Sequence, residues 1–167
     1  AIEMLNQALQ LYPEYTDDQN AYETLAEAHL RKGNEAVAIE ILQQFTSYSE
    51  SAYATHLKLA GLMRDAGNFA EAREVLERAL FIHPMDLEGH RELGALLLAD
   101  EQFDEAANEY QALLALNVPD LADTYFKLAS AQYGEGKLVE ARRSILSCLE
   151  IAPSFEEAQE LLLKIVR

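Results

Sequence analysis

The chain repeats itself with a period of about 34 residues, and this period restricts the possible folds more than any other feature of the sequence. Three series of positions show it, each with successive steps of 34, 34 and 35 residues. The series are Gly33, Gly67, Glu101 and Gly136; Ala26, Ala60, Gly94 and Ala129; and Ala38, Ala72, Ala106 and Ala141. A fixed period of this length is typical of solenoids, in which each repeat is one supersecondary unit that packs on its neighbours.

Each period carries the pattern of two amphipathic helices joined by a tight turn. In residues 53–86, one helical face is marked by His56, Leu59, Ala60 and Met63. Gly67 suits the left-handed position that ends a helix, and Pro84 prevents the second helix from continuing. The face of that second helix is marked by Phe69, Ala72, Leu76, Ala79 and Leu80. The short connection predicts that the two helices are antiparallel neighbours.

These residues resemble the tetratricopeptide repeat, or TPR. The motif residues of the first repeat are Tyr22, Leu25, Ala26, Gly33 and Ala38, and those of the last are Tyr125, Leu128, Ala129, Gly136, Ala141 and Pro153. The resemblance covers nearly the whole chain and implies an all-α fold, a right-handed superhelical solenoid of helix-turn-helix units. It implies a single solenoid: residues 1–18 as the second helix of a preceding repeat plus a linker, four repeats at 19–52, 53–86, 87–121 and 122–155, and a closing helix at 156–167.

The sequence departs from the repeat pattern at several places. Glu101 replaces the turn glycine, so we expect this turn to be strained or differently shaped, and one extra residue before Leu121 predicts a shifted junction. Asp17 and Asp18 belong to a small insertion. Because the chain begins at Ala1 inside a helical pattern, we expect a fragment of a longer protein. The closing helix is too apolar for a polar cap, so it is expected to face a missing repeat or a second copy of the chain.

Charge and composition exclude several classes of partner. The chain has 29 acidic and 13 basic residues and a net charge of −16. This charge argues against nucleic acid, which requires clustered Lys and Arg, and against anionic lipid surfaces. No apolar run reaches the roughly 18 residues of a membrane span. The sequence suggests a bacterial source and leaves the compartment open between the cytoplasm and the bacterial periplasm.

No pattern of residues predicts an enzyme, a cofactor site or a metal site. His56 and His90 lie at equivalent positions one repeat apart and are a candidate metal pair, but Tyr22 and Tyr125 hold the same position elsewhere, which favours packing. Cys148 takes the small position that Ala79 takes in another repeat, which predicts a buried thiol. The regularly spaced glycines mark turns and do not form a phosphate-binding loop.

The helical wheel predicts a surface for a binding partner. If the first helix of each repeat buries its fourth, seventh, eighth and eleventh residues, its second, fifth, sixth, ninth, twelfth and thirteenth residues point away. The TPR resemblance implies that these faces line a concave groove that holds an extended or helical peptide. The candidate groove residues are Glu23, Glu27, Leu57, Lys58, Arg64, Arg91, Leu98, Phe126, Lys127 and Tyr133.

Two interpretations of this face stay open. In the first, the basic residues of the candidate groove bind a carboxylate of a partner segment, and the apolar residues of the groove anchor the same segment. Alternatively, the face is solvated and its cations pair with Glu88, Glu92 and Asp123. Glu23 and Glu27 stand where the chaperone-type TPR clamp has Lys and Asn, so chaperone tails are not expected as partners.

Together these observations predict a non-catalytic scaffold that binds a protein or peptide partner in the groove. One alternative is a self-assembly module that forms homo-oligomers through its apolar terminal helices. Another is an accessory tail of a larger bacterial envelope enzyme. Neither nucleic acid nor insertion into a membrane is expected in any of these cases.

Overall fold

Ten α-helices and no strand are found in the part of the chain that the structure describes, residues 2–16, 20–49 and 51–166 of a computed structural model. They are α1 (Ile2–Leu11), α2 (Ala21–Leu30), α3 (Glu35–Tyr48), α4 (Tyr53–Asp65), α5 (Phe69–Ile82), α6 (Leu87–Ala99), α7 (Phe103–Ala115), α8 (Leu121–Gly134), α9 (Leu138–Ile151) and α10 (Glu156–Ile165). The predicted class, an all-α helical-repeat fold, is confirmed. Part of the first predicted segment depends on Ala1, Asp17 and Asp18, which lie outside the described residues.

The first helices of the predicted repeats, α2, α4, α6 and α8, bury the face that the sequence pattern marks. In α4 this face consists of His56, Leu59, Ala60 and Met63, all of them buried. The equivalent residues of α2, α6 and α8 are buried or half-buried. The apolar spacing therefore decides which side of each helix packs against its neighbours.

Each first helix packs against the second helix that follows it, and small residues let the pair approach closely. Ala60 of α4 and Ala72 of α5 are both fully buried. At Gly94 of α6, a Cβ atom would lie 3.0 Å from Cζ of Tyr110 on α7. The helix α8 also packs against the preceding helix, α7: at Gly134 of α8, a Cβ atom would lie 2.5 Å from the ring of Phe103 of α7. A larger side chain at either glycine would displace an aromatic ring.

The turn at Glu101 keeps the shape of the glycine turns and is strained. Its φ is +57°, while Gly33, Gly67 and Gly136 have φ values of +74°, +81° and +81°. The Glu101 amide donates to the Leu98 carbonyl, and the next amide donates to the carbonyl of Leu97, the same bonds that close the other three turns. The expected strain is confirmed, since this conformation costs a side chain about 1–2 kcal/mol. The alternative expectation, a different shape, is wrong.

The extra residue in the third repeat is accommodated at the end of α7. There Asn117 adopts a left-handed conformation with φ of +57°, and Val118 then turns back into the core. The second helices α3, α5 and α9 end instead at Ser49, His83 and Ala152, whose φ values lie between −127° and −129°. The predicted shift of this junction is therefore present, and asparagine tolerates the left-handed position better than most residues.

The helices form two compact units, Ala1–His83 and Pro84–Arg167, called unit 1 and unit 2 below. Unit 1 holds α1 to α5, and unit 2 holds α6 to α10. At the end of unit 2, α10 packs on α8 and α9 around Ala129, Ile145, Cys148, Ala158 and Leu161. Whether the predicted segments make one continuous array stays a prediction. Among the described residues, none of the helices has the length and apolar character needed to cross a lipid bilayer.

Candidate partner-binding surfaces

The predicted groove residues of unit 1 lie on α2 and α4, and we call them the first-helix face of unit 1. They are Glu23, Glu27, Leu57, Lys58 and Arg64. Leu57 is half-buried and Lys58 is exposed, and within the described residues the Lys58 ammonium forms no ion pair. Arg64 lies 3.2 Å from the carboxylate of Asp65. Glu27 pairs with Arg31 at 2.6 Å on the exposed side of α2.

Glu23 connects α2 to α4 through its side chain. One carboxylate oxygen accepts a 2.5 Å hydrogen bond from Thr55 Oγ1 of α4. The other accepts a 3.0 Å bond from Asn20 Nδ2, while Asn20 Oδ1 caps the helix by accepting from the Glu23 amide. Both oxygens of Glu23 therefore have partners inside unit 1. We interpret Glu23 as a residue that positions two neighbouring helices, in addition to its place on the face.

The first-helix face of unit 2 consists of Arg91 and Leu98 on α6 and of Phe126, Lys127 and Tyr133 on α8. Arg91 Nη1 donates to Glu88 Oε2 at 2.6 Å. Lys127 is half-buried and forms no ion pair with any described residue. Leu98 is half-buried and Tyr133 is 38% exposed. The face therefore combines apolar surface with a lysine whose charge is not neutralised by a neighbour.

Phe126 lies partly within the core of unit 2. Its ring stands 4.9 Å from the ring of Phe155, which caps the start of α10, and it packs against the buried cluster of α8, α9 and α10. Only the remaining part of this side chain is accessible at the face.

A residue that the sequence did not single out as a site, Tyr110 of α7, completes this region. Its ring packs on Gly94, and the side chain is only 2% exposed. Its hydroxyl forms no hydrogen bond with any described residue. Burial is the main cause that raises the pKa of Tyr110. The charges of Asp123 and Glu92 raise this pKa further, while the charge of Arg91 lowers it. The hydroxyl is thus neutral, and charges on α6 and α8 act on it.

The sequence did contain a signal for Tyr110. The equivalent positions of the other repeats are Leu42, Leu76 and Ile145, with the same steps of 34, 34 and 35 residues. A single hydroxyl in an otherwise aliphatic series at a core position indicates that the polar group has a specific environment.

The histidines and the cysteine have structural surroundings. His56 Nδ1 lies 2.9 Å from the Ala52 carbonyl oxygen. In His90, Nδ1 lies 2.6 Å from Glu109 Oε2, and Nε2 lies 3.0 Å from the Pro84 carbonyl oxygen. Among the described residues, no group of three or more His, Cys, Asp or Glu side chains is placed to hold a metal ion. Cys148 is fully buried, as predicted, and its burial, followed by the charge of Asp123, raises the pKa of its thiol.

An apolar cleft lies at the start of unit 1, between α1 and α2. It has a volume of about 310 Å³ and is lined by Ala8, Leu9, Tyr12, Tyr15 and Ala21. Beside it, Met4 and Leu11 of α1 are each 72% exposed. Exposed apolar side chains in such number on one short helix favour a contact with another molecule.

The tetratricopeptide repeat family matches the chain at residues 23–87, 57–109 and 91–156. The chain belongs to the tetratricopeptide repeat family. TPR proteins bind protein or peptide partners and are generally not catalysts, which supports a role as an interaction scaffold. No curated protein sequence matches the chain.

Solved structures of other TPR proteins share the fold at low sequence identity. The MamA RS-1 ArsTM double mutant is 19% identical with a TM-score of 0.78, over 86% of this chain and 80% of that one. YrrB is 20% identical with a TM-score of 0.76, over 99% and 83% of the two chains. TTC0263, a thermophilic TPR protein of Thermus thermophilus, is 21% identical with a TM-score of 0.60, over 99% and 88%. At these identities the likeness shows the fold alone.

Proposed function

We propose that this TPR protein is a non-catalytic scaffold whose first-helix faces bind an extended or helical segment of a partner protein. The observation that carries the proposal is the pairing, on each face, of half-buried or exposed apolar side chains with a lysine that has no ion-pair partner among the described residues. On unit 1 these are Leu57 and Lys58, and on unit 2 they are Leu98, Tyr133 and Lys127.

This combination is suited to peptides with both apolar and acidic groups. Apolar anchors supply binding energy through burial, and a cation at the rim adds attraction and orientation for a partner carboxylate. Arg64 and Arg91 contribute less, because Asp65 and Glu88 already neutralise part of their charge. A similar fold is compatible with such a role, since YrrB is described as a TPR protein with an unusual peptide-binding site.

A selection of binding peptides tests the proposal. Peptides would be selected from a random library on the wild-type chain, and their affinities measured by fluorescence anisotropy. We expect the double variant Lys58→Glu/Lys127→Glu to bind about ten-fold more weakly or worse, because each reversed surface charge is worth up to about 1 kcal/mol.

The matched control is Arg142→Glu/Arg143→Glu, which makes the same change of charge on exposed residues of the second helix α9. This variant should retain the affinity of the wild type. Equal losses in both variants would indicate a general effect of net charge, and no loss in either would place binding away from the first-helix faces.

Self-association is a second candidate function, favoured by the apolar cleft of α1 and α2. A second copy could cover this cleft with α10 and the residue that caps its end, since Leu163 of α10 is 57% exposed and the capping Val166 is 54% exposed. Such a head-to-tail contact would be heterologous and would give chains of increasing length. Sedimentation velocity over a wide concentration range tests it: the wild type should form larger species at high concentration, and Leu9→Glu should prevent them. A wild type that stays monomeric throughout would exclude this candidate. The accessory role in a larger envelope enzyme stays a prediction from the sequence.

A further inference from the structure

We propose that unit 1 binds a tyrosine side chain of a partner protein in a cleft at the ends of α3 and α5, where His56 of α4 accepts a hydrogen bond from the tyrosine hydroxyl. None of the residues that form the first-helix face of unit 1 lines this cleft. The site therefore goes beyond the proposed function and adds a second, separate contact with a partner.

The cleft has the size of a ligand site and is partly apolar. Its volume is about 550 Å³, and pockets that bind small ligands commonly measure about 300–1,000 Å³. One of its apolar side chains, Phe81, is 88% exposed. The lining residues from the last turns of the two second helices and from α4 are Thr46, Ser47, His56, Arg78, Phe81 and Ile82.

A comparison of the repeats explains why this space is open. In the first repeat, the ring of Tyr22 is fully buried and lies 5.7 Å from the ring of Phe45 and 6.1 Å from that of Tyr48. The residues that stand one period of 34 residues later are His56, Ala79 and Ile82. Three aromatic side chains are thus replaced by smaller ones, and the chain's own side chains leave the second repeat less completely filled.

His56 supplies the cleft with a hydrogen-bond acceptor. The side chain is only 4% exposed, and its Nδ1 lies 2.9 Å from the Ala52 carbonyl oxygen. Because a carbonyl oxygen only accepts, Nδ1 carries the proton, and in the neutral ring Nε2 offers a lone pair. Nε2 forms no hydrogen bond with any described residue. Buried polar groups are nearly always paired, so an open one that lines a cleft is typical of a site completed by another molecule.

His90, at the equivalent position of the next repeat, shows the contrast. Its two ring nitrogens both have partners, the carboxylate of Glu109 at 2.6 Å and the Pro84 carbonyl oxygen at 3.0 Å. The open nitrogen is therefore specific to His56 and is not a general property of this repeat position.

The groups around His56 decide what the ligand carries. The hydroxyls of Thr46 and Ser47 donate to carbonyl oxygens of their own helix at 3.1 and 2.6 Å, so their oxygens also remain acceptors. Arg78, the cation of the cleft, is already paired with Glu74 at 2.8 Å. A carboxylate would meet lone pairs here, and a lysine or arginine would meet the like charge of Arg78. A neutral apolar group with one donor fits best.

A tyrosine side chain has this combination of properties. Its ring can pack on Phe81 and Ile82, and its hydroxyl can donate to Nε2 of His56. The first repeat contains the same arrangement within the chain, because the buried ring of Tyr22 donates its hydroxyl to the Pro13 carbonyl oxygen at 2.7 Å. A partner's tyrosine would supply to the second repeat the kind of ring that the first repeat has of its own.

The test titrates the 15N-labelled chain with N-acetyl-tyrosinamide and, separately, with N-acetyl-phenylalaninamide, which has the same ring without the hydroxyl. We expect saturable amide shifts at the ends of α3 and α5, with the tyrosine probe binding about three-fold more tightly or better, as for one neutral hydrogen bond. The ring 15N resonance of His56 Nε2 should move at saturation with the tyrosine probe only. In His56→Leu, the two probes should bind within about two-fold of each other.

A second variant tests the apolar wall without changing the buried histidine. Phe81→Ala alters an 88% exposed side chain and should weaken binding of the tyrosine probe about three-fold or more. The matched control is Val139→Ala, which shortens a 72% exposed apolar side chain on the second helix α9 and should leave the affinity unchanged.

Three results would overturn this inference. They are an absence of saturable shifts at the cleft, equal affinities of the two probes for the wild type, and an Nε2 resonance of His56 that stays in place at saturation. None of them bears on the first-helix faces, which the selected peptides test, so a failure of this inference is distinguishable from a failure of the proposed function.

Discussion

Replacing Tyr110 by phenylalanine should stabilise the protein, which is unusual for a change at a buried residue. The ring would keep its packing on Gly94, and only the hydroxyl would be removed. That hydroxyl is buried and has no hydrogen-bond partner within the described part of the chain, whereas in the unfolded chain it is solvated by water. Folding therefore loses its hydration without replacing it.

The magnitude follows from the cost of such a group. A buried polar group without a partner costs about 1–3 kcal/mol, and phenylalanine avoids this cost. We expect Tyr110→Phe to raise the free energy of unfolding by about 1–2 kcal/mol. For a chain of this size, this corresponds to roughly 2–4 °C in the unfolding midpoint for each kcal/mol.

Tyr22 provides a matched control in unit 1. It is also fully buried, but its hydroxyl donates a 2.7 Å hydrogen bond to the Pro13 carbonyl oxygen. Tyr22→Phe should therefore lower the free energy of unfolding by about 1–2 kcal/mol, since it removes the bond and leaves the carbonyl without its partner. The two variants have the same change of atoms and opposite expected signs.

Urea unfolding followed by circular dichroism, together with thermal unfolding, measures both variants. A loss of more than about 0.5 kcal/mol in Tyr110→Phe would refute the reasoning, because it would show that the hydroxyl has a favourable interaction in the free protein.

Three further predictions concern packing, backbone strain and pH. Ala72→Leu should lower the free energy of unfolding by about 1–3 kcal/mol and the midpoint by several degrees, because Ala72 is fully buried between helices; an unchanged midpoint would show that the contact is misplaced. Glu101→Gly should raise the free energy of unfolding by about 0.5–1 kcal/mol, since glycine adopts the positive φ without strain. Urea unfolding that shows no increase in this free energy would contradict the strained turn. At alkaline pH, the raised pKa values of Cys148 and Tyr110 mean that the folded state retains protons that the unfolded state loses. The contribution of these two groups to the free energy of unfolding is therefore complete below about pH 9 and decreases as the pH rises further. In Tyr110→Phe, the free energy of unfolding should decrease less above about pH 10 than in the wild type. Equal decreases in the variant and the wild type would contradict this prediction.

The period of the sequence was sufficient to predict the fold class and the buried faces. His56, Leu59, Ala60 and Met63 fall on one face of a helix whatever their detailed contacts, and the structure buries all four. The repeat also identified Glu101 as the exception at a position that otherwise holds glycine, but it left open whether that turn would be strained or differently shaped.

The detailed chemistry of the faces could not be predicted in the same way. The bond from Thr55 to Glu23 and the tilted ring contact between Phe126 and Phe155 depend on the distance between helices and on side-chain rotamers. A helical wheel describes one helix at a time, so it does not contain these contacts. For the same reason the wheel gives no sign that charges on two other helices act on the buried Tyr110.

The most direct test of the account is to locate a selected peptide on the protein by NMR. Backbone amide resonances of the 15N-labelled chain would be followed during titration with the tightest peptide from the library. The account predicts that the largest shifts fall on exposed residues of the first helices, α2 and α4 in unit 1 or α6 and α8 in unit 2. Largest shifts on the second helices α3, α5, α7 and α9, or on the terminal helices α1 and α10, would contradict it.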